Sequence, residues 1–446
     1  MPLTSIDRFG IIDREKDYTQ LKSMSYPDWA QSGIIYEVYL RAFSKDGNIK
    51  SLTKKVADLK ELGINIIWLM PIHLIGHIKR KGPLGSPYSI RDYYRINSEY
   101  GNKDDFKELI KECHKHDIKV LLDFVANHAA NDHVELKKHP EWFKKDENGK
   151  FSRRIPGWSD VIDFDYTNNE LREYMKDVAG YWIKEFDIDG YRCDVAGMVP
   201  EDFWLELRKE LKNIKKDLLF VAEWEDPEMH LKTFDVTYDW ILYYKLDELQ
   251  NGSVNAQEIV DLILKRKDQF PNNALRLRFL ENHDQARATY KFGASSYRTY
   301  AAFIYTIDGI PLIYNGQEVG DPKHLTLFDK NAINWKVRGA NEYKKLYKTL
   351  ISLRLNNKVF TQGSLFRIEN SNPQYIASYG RKLGDVTAII ILNFGDHESI
   401  VNLKSDIEIN NWKLINLSEL DTLDFSTDQL KFSLKAHDGY ILLSHI

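Results

Sequence analysis

Three acids in the middle of the chain, Asp194, Glu223 and Asp284, each stand in or beside a short apolar run: "GYRCDVA", "VAEWE" and "FLENHD". Arg192 sits two residues before Asp194, and His283 directly precedes Asp284. A further run, "DFVANH", carries Asp123, Asn127 and His128. A lone carboxylate at the end of a strand usually caps the next helix or pairs with a neighbour. Three acids, two histidines and an arginine at neighbouring strand ends are a different matter. Like charges gathered in one concave place raise each other's pKa, and proteins keep such an arrangement mainly where the shift is used. Glycosyl transfer needs this combination, because one ionised carboxylate attacks the anomeric carbon while a protonated one delivers its proton to the leaving oxygen. Arg192 is then expected to hold Asp194 ionised as the nucleophile, leaving Glu223 as the acid.

Positioning these groups requires a scaffold of strands that end at one rim. Apolar runs suited to strands occur at 33–40, 65–72, 119–127, 188–196, 218–224, 234–240, 277–284 and 310–316. Between them lie amphipathic patterns such as "SLTKKVADLKELG" (51–63), where Leu52, Val56, Leu59 and Leu62 recur at helical spacing before Gly63, and "KDDFKELIKECHKHD" (103–117). Continuous apolar strands alternating with helices predict a parallel sheet covered on both faces, and this number of units predicts a closed (β/α)8 TIM barrel. An open doubly wound sheet would want a glycine-rich phosphate loop after the first strand, and "RAFSKDGN" is not one. Residues 129–165 are polar and irregular and predict a short inserted subdomain after strand 3. Beyond about Arg354 the pattern turns to alternating strands and predicts a C-terminal antiparallel β-sandwich. The expected division is a barrel over 1–128 and 166–355, the insertion over 129–165, and the β domain over 356–446.

Composition narrows the partners. The 446 residues are 43% hydrophobic and 29% charged, and a net charge of −4 without a basic stripe excludes a nucleic-acid binder. No apolar run is long enough to cross a bilayer, and "MPLTSIDRFG" has no leader pattern, so a cytoplasmic protein is expected. A secreted or periplasmic protein whose signal peptide had been removed is the alternative. Cys113 and Cys193 read as two buried free thiols, in keeping with a reducing compartment. Tyr 25 and Trp 10 include the kind of flat, polar-tipped rings that line sugar clefts. His114, His116 and His133 suggest no zinc.

The four runs "DFVANH", "GYRCDVA", "VAEWE" and "FLENHD" resemble, in order and spacing, the signature regions of the α-amylase family of glycoside hydrolases, family 13. "GSPYSIRDYY" (85–94) and "GIPLIYNGQEVG" (309–320) look like further segments of that family. The resemblance implies Asp194 as nucleophile, Glu223 as general acid/base and Asp284 as the third acid. It implies Arg192 beside the nucleophile, His128 and His283 as binders of sugar hydroxyls, Tyr88 as a stacking ring, and Asp123 as a structural acid. It implies retention of anomeric configuration on an α-glucan or oligosaccharide substrate. Asn127, and Asp163 in "VIDFD", fall where many members place calcium ligands, so Ca2+ is the one cofactor implied. Gly197 and Met198 stand where secreted α-amylases carry a Lys-His pair, and "DVAGMVPEDFW" looks closer to the neopullulanase and maltogenic-amylase branch. Hydrolysis of α-1,4-linked glucans or malto-oligosaccharides is therefore expected. The alternatives are a neopullulanase or cyclomaltodextrinase activity, transglycosylation, or a non-catalytic binding relative, which would typically have lost acids that are all present here.

Overall fold

In the computed structural model, residue 11 and residues 16–427 and 429–444 are described; the N-terminal run read for a leader lies outside them. The apolar runs become eight parallel strands: β1 (Ile35–Val38), β2 (Ile66–Leu69), β3 (Lys119–Phe124), β4 (Gly190–Cys193), β5 (Leu219–Ala222), β6 (Val236–Tyr238), β7 (Leu275–Arg278) and β8 (Ile310–Tyr314). Each pairs with the next, and β8 pairs back with β1, which closes the barrel. Successive side chains of a strand face opposite ways. Ile35, Leu121, Val221, Leu277 and Leu312 therefore fill one cluster inside the cylinder, while Tyr36, Val120, Leu122, Phe220 and Ile313 join the larger core under the helices. Both sets are nearly free of solvent, which explains why the strands read as unbroken apolar runs.

Every strand is shorter than its apolar run, and the seventh is displaced. It spans Leu275–Arg278 rather than 277–284. Its last residue faces Pro311, which has no N–H to donate, and β6 ends at Tyr238 opposite Leu277, so neither neighbour continues the ladder. "FLENHD" is thus the loop above the rim. One close approach depends on glycine: Gly190 opens β4 at φ +149, and a Cβ there would lie 2.0 Å from the Leu219 carbonyl oxygen of β5.

The helices follow their caps. Lys103–Lys115 starts in a capping box in which the Asn102 and Asp105 side chains each accept from the other's backbone N–H, and it buries Phe106, Leu109, Ile110 and Cys113. The pattern at 51–63 forms two short helices, Ile49–Thr53 and Val56–Leu62, separated by a tighter turn in which the Lys55 N–H donates to Leu52 O at 2.8 Å; Gly63 ends the second at φ 103. After β3, His128–Ala130 pairs antiparallel with Val161–Asp163, with His128 opposite Asp163. The chain between them folds over Trp142, Phe143, Ile162 and Phe164. Beyond the helix Ala340–Asn356, a six-stranded and a three-stranded antiparallel sheet enclose Ile376, Ile389, Ile391, Val401, Phe432 and Leu442. The Tyr379 and Thr306 hydroxyls, 2.6 Å apart, fasten these sheets to the barrel helices.

Candidate active site

Strand register, more than sequence distance, assembles the site. Asp123 of β3 lies directly beside Arg192 of β4, and Arg192 beside Val221 of β5. Tyr191 and Cys193 face the outer core, so Arg192 points inward, over the Trp68 ring at 4.9 Å. Asp194 and Glu223 lie one residue beyond their strands but stay tied to the ladder, Asp194 N–H donating to Phe124 O at 3.1 Å and Glu223 N–H to Cys193 O at 3.0 Å. The Arg192 guanidinium then meets three carboxylates. Nη1 donates to Asp123 Oδ1 and Asp194 Oδ1, each at 3.0 Å. Nη2 lies 2.9 Å from Glu223 Oε2, an ion-pair contact without hydrogen-bond alignment. Glu223 Oε2 accepts instead from the Val195 N–H at 2.9 Å. Val195 has φ +37, which is costly for a β-branched residue, and this turn is what aims its N–H at Glu223.

Burial dominates the electrostatics. Asp194 is pushed up to about 7 by burial, with Asp123 and Asp284 adding to the rise and Arg192 opposing it. Glu223 is pushed up to about 7 by burial, with Asp194 and Asp284 adding and Arg192 opposing. Asp123 rises to about 6 for the same first reason. Arg192 therefore limits the rise of Asp194 but does not hold it within the ordinary carboxylate range, as the sequence alone had suggested. His128 is carried down to about 4 by burial, with Asp163 and Asp160 opposing, so it is neutral near pH 7. Its Nδ1 lies 3.2 Å from the Asn127 amide nitrogen, and its Nε2 faces Asp194 Oδ2 at 4.0 Å.

Asp194, Glu223, Asp284, His128, His283 and Tyr88 all line one cleft of about 620 Å³. Asp284 is the solvent-facing acid of the group, its side chain 35% exposed. The Tyr88 ring stacks on His283 at 5.3 Å between centroids, and its hydroxyl donates to Asp123 Oδ2 at 3.0 Å. Arg192 and Asp123 form the floor beneath. Trp158, Trp224, Lys81 and Phe328 also line the cleft; Trp158, Lys81 and Phe328 lie on irregular loops without a sequence pattern, whereas Trp224 stands inside "VAEWE", where the sequence assigns a role to Glu223 alone. Glu37 escaped too, although a charge inside the apolar run "GIIYEVYL" was the same kind of signal that marked Arg192.

Asn127 and Asp163 are buried next to this site, on the strand pair that opens and closes the insertion. Asp163 Oδ2 accepts from the Arg154 N–H at 2.7 Å, while its Oδ1 is buried without a hydrogen-bond partner. Among the described residues, the group with metal-ligand spacing is His139, Glu141 and Glu170, on the partly exposed surface. Of the other histidines, His114 pairs with Asp189 at 2.8 Å, His116 with Glu112 at 3.0 Å, and His133 packs among Tyr93, Phe143 and Phe164. Cys113 and Cys193 are buried free thiols, and no helix among the described residues is long and apolar enough to cross a membrane.

Known proteins resemble this chain over most of its length. The family model for the alpha amylase catalytic domain matches residues 20–155 and 151–336. A noncanonic maltogenic alpha-amylase, AmyB, from Thermotoga neapolitana superposes with a TM-score of 0.86 at 40% identity, over 93% of this chain and 99% of that one. The maltogenic alpha-amylase of Bacillus acidopullulyticus is 28% identical over 466 residues, covering 93% of this chain and 78% of that protein. Alpha-amylase MalA of Haloarcula japonica is 26% identical over 396 residues, 84% of this chain but 57% of that longer protein.

Proposed function

Since the chain belongs to the α-amylase family, alongside relatives named maltogenic amylase and cyclomaltodextrinase, we propose that it hydrolyses α-1,4-linked glucans or malto-oligosaccharides by double displacement. In this reading Asp194 attacks the anomeric carbon while Glu223 protonates the departing oxygen. Glu223 then takes the proton of the water that releases the sugar, so configuration is retained. The observation that carries the proposal is the single guanidinium shared by Asp194 and Glu223. It keeps the two carboxyl groups close, as direct attack by one of them requires. Burial raises both, and Asp194 raises Glu223 further, so near neutral pH the pair holds one proton between them. The aligned Arg192 hydrogen bond goes to Asp194, which leaves that proton on Glu223. Asp284 faces the developing positive charge of the sugar, His128 and His283 take its hydroxyls, and Tyr88 covers its apolar face.

Transglycosylation is the second reading, favoured by Trp224, a flat ring beside the acid on which an acceptor sugar can stack in competition with water. A cytoplasmic location is supported by the two buried free thiols. For calcium at Asn127 and Asp163, the support is the unpartnered Asp163 Oδ1, against a requirement of about six to eight oxygens. A bound ion would brace the insertion, and no catalytic step passes through it. Calcium should raise the Tm of the wild type but not of Asp163→Asn, and a wild-type Tm indifferent to calcium removes the site.

The test of function is incubation with maltoheptaose, pullulan and cyclodextrin, followed by chromatography of the products. Glu223→Gln should lower kcat by about 10²–10⁴, the range for a lost general acid, and Asp194→Asn by at least as much. Near-wild-type turnover in either variant refutes the assignment.

A further inference from the structure

Glu37, in the middle of β1, has no place in the roles assigned above. Its side chain is fully buried, and Oε1 forms a short hydrogen bond with His283 Nδ1. Oε2 is buried without a hydrogen-bond partner, so among the described residues the His283 ring is where this carboxylate makes its side-chain hydrogen bond. The other ring nitrogen, Nε2, lies 2.8 Å from the Tyr88 hydroxyl and 3.4 Å from Asp284 Oδ2. Tyr88 gives its hydroxyl hydrogen to Asp123 Oδ2, so its oxygen is left to accept and Nε2 must bring a proton. A carboxylate only accepts, so Nδ1 brings one as well. The edge of Trp68, at 5.8 Å, closes the side of the ring.

We propose that Glu37 is a positioning residue for the reaction: it keeps His283 doubly protonated, so that in the chain Glu37–His283–Tyr88–Asp123 the ring donates to Glu37 on one side and to Tyr88 on the other, and Tyr88 donates on to Asp123. That chain ends on the Arg192 guanidinium, which holds Asp194. The groups facing His283 are Glu37 on β1, Tyr88 beyond β2, Asp123 on β3, Arg192 on β4 and the adjoining Asp284. Burial alone would drive the proton off the ring, but Asp284 and Glu37 prevail and carry His283 up to about 9, with Arg192 opposing. Remove the Glu37 charge and a neutral ring is favoured, with a single N–H for two acceptors. Nε2 then accepts, Tyr88 swings its O–H toward it, and Asp123 Oδ2 loses a donor, keeping Trp68 Nε1 at 3.2 Å and Arg192.

The proposal rests on the glycosidase function for its kinetic consequence but not for its protonation state, and the tests separate the two. Glu37→Gln keeps the shape and removes the charge. The ratio of its kcat/KM on maltoheptaose to that of the wild type should be near one at pH 5 and fall at least tenfold by pH 8. A ratio that does not change with pH overturns the proposal. A wild type inert on glucans overturns the function instead, and the protonation state is then read from the His283 ring signal in wild-type protein by NMR. A midpoint near 9 that stays above about 6.5 in Asp284→Asn supports the role of Glu37, and one at or below the ordinary value of about 6.5 in either protein overturns it. The NMR titration needs no Glu37 variant, so it also stands if Glu37→Gln fails to fold.

Discussion

Arg192→Lys tests the centre of the site. Its two terminal nitrogens now serve three acids, Nη1 at 3.0 Å from both Asp123 and Asp194 and Nη2 at 2.9 Å from Glu223. A lysine ammonium is one point charge and cannot occupy both nitrogen positions, so at least one carboxylate faces a cation roughly twice as far away. At an effective dielectric of about 20, a unit pair is worth about 5.5 kcal/mol at 3 Å and about 2.8 kcal/mol at 6 Å. The difference of about 2.8 kcal/mol corresponds to about two pKa units, and relaxation brings the expectation to roughly one to two. Asp194, already raised to about 7, must be ionised to attack. The acid limb of the pH profile of kcat/KM on maltoheptaose should therefore move up by roughly one to two units, with about a tenfold to hundredfold loss at pH 6 that narrows as pH rises. A uniform loss at every pH, with both limbs in place, would falsify the electrostatic role and leave Arg192 as a spacer.

Two further predictions concern packing and stability. A Cβ on Gly197 would lie 2.0 Å from the Trp224 ring, which lines the cleft, so Gly197→Ala must displace the indole. A loss of roughly 1–3 kcal/mol in stability and a higher KM for maltoheptaose are expected, and unchanged KM with unchanged tryptophan fluorescence would contradict this. Asp189 is buried at the start of β4, where burial alone would raise its pKa, but His114, Lys215 and the Val120 N–H together push it down to about 2. A depressed carboxylate stabilises the fold above its unfolded pKa, and that stability is lost as pH falls through its folded value. Asp189→Asn should thus cost roughly 2–3 kcal/mol at pH 7, with the gap to wild type shrinking between about pH 4 and pH 2. A gap in urea-unfolding free energy that stays constant over that window counts against the pairing.

The chain order carries a good deal of this protein openly. Apolar runs such as "KVLLDFVAN" and "LLFVAEW" announce strands, and the acids at their ends announce chemistry, because both are local properties of composition and spacing. Where the ladder stops is not local: β7 ends at Arg278 because Pro311 and Tyr238, far along the chain, withdraw its partners. The placement of Asp123 beside Arg192 likewise comes from the pairing of β3 with β4, and the link from Glu37 to His283 from the contact of a β1 side chain with a ring above β7. The balance of charge was decided in the same way. In the sequence Arg192 stands next to Asp194 alone, whereas in the barrel it is shared among three acids, all lifted by burial. Residue type and period thus determined that strands exist and that carboxylates crown them. Register, closure of the cylinder and exclusion of water decided which carboxylates meet and in what protonation state, since pKa depends on distance and dielectric, and neither is a property of sequence neighbours.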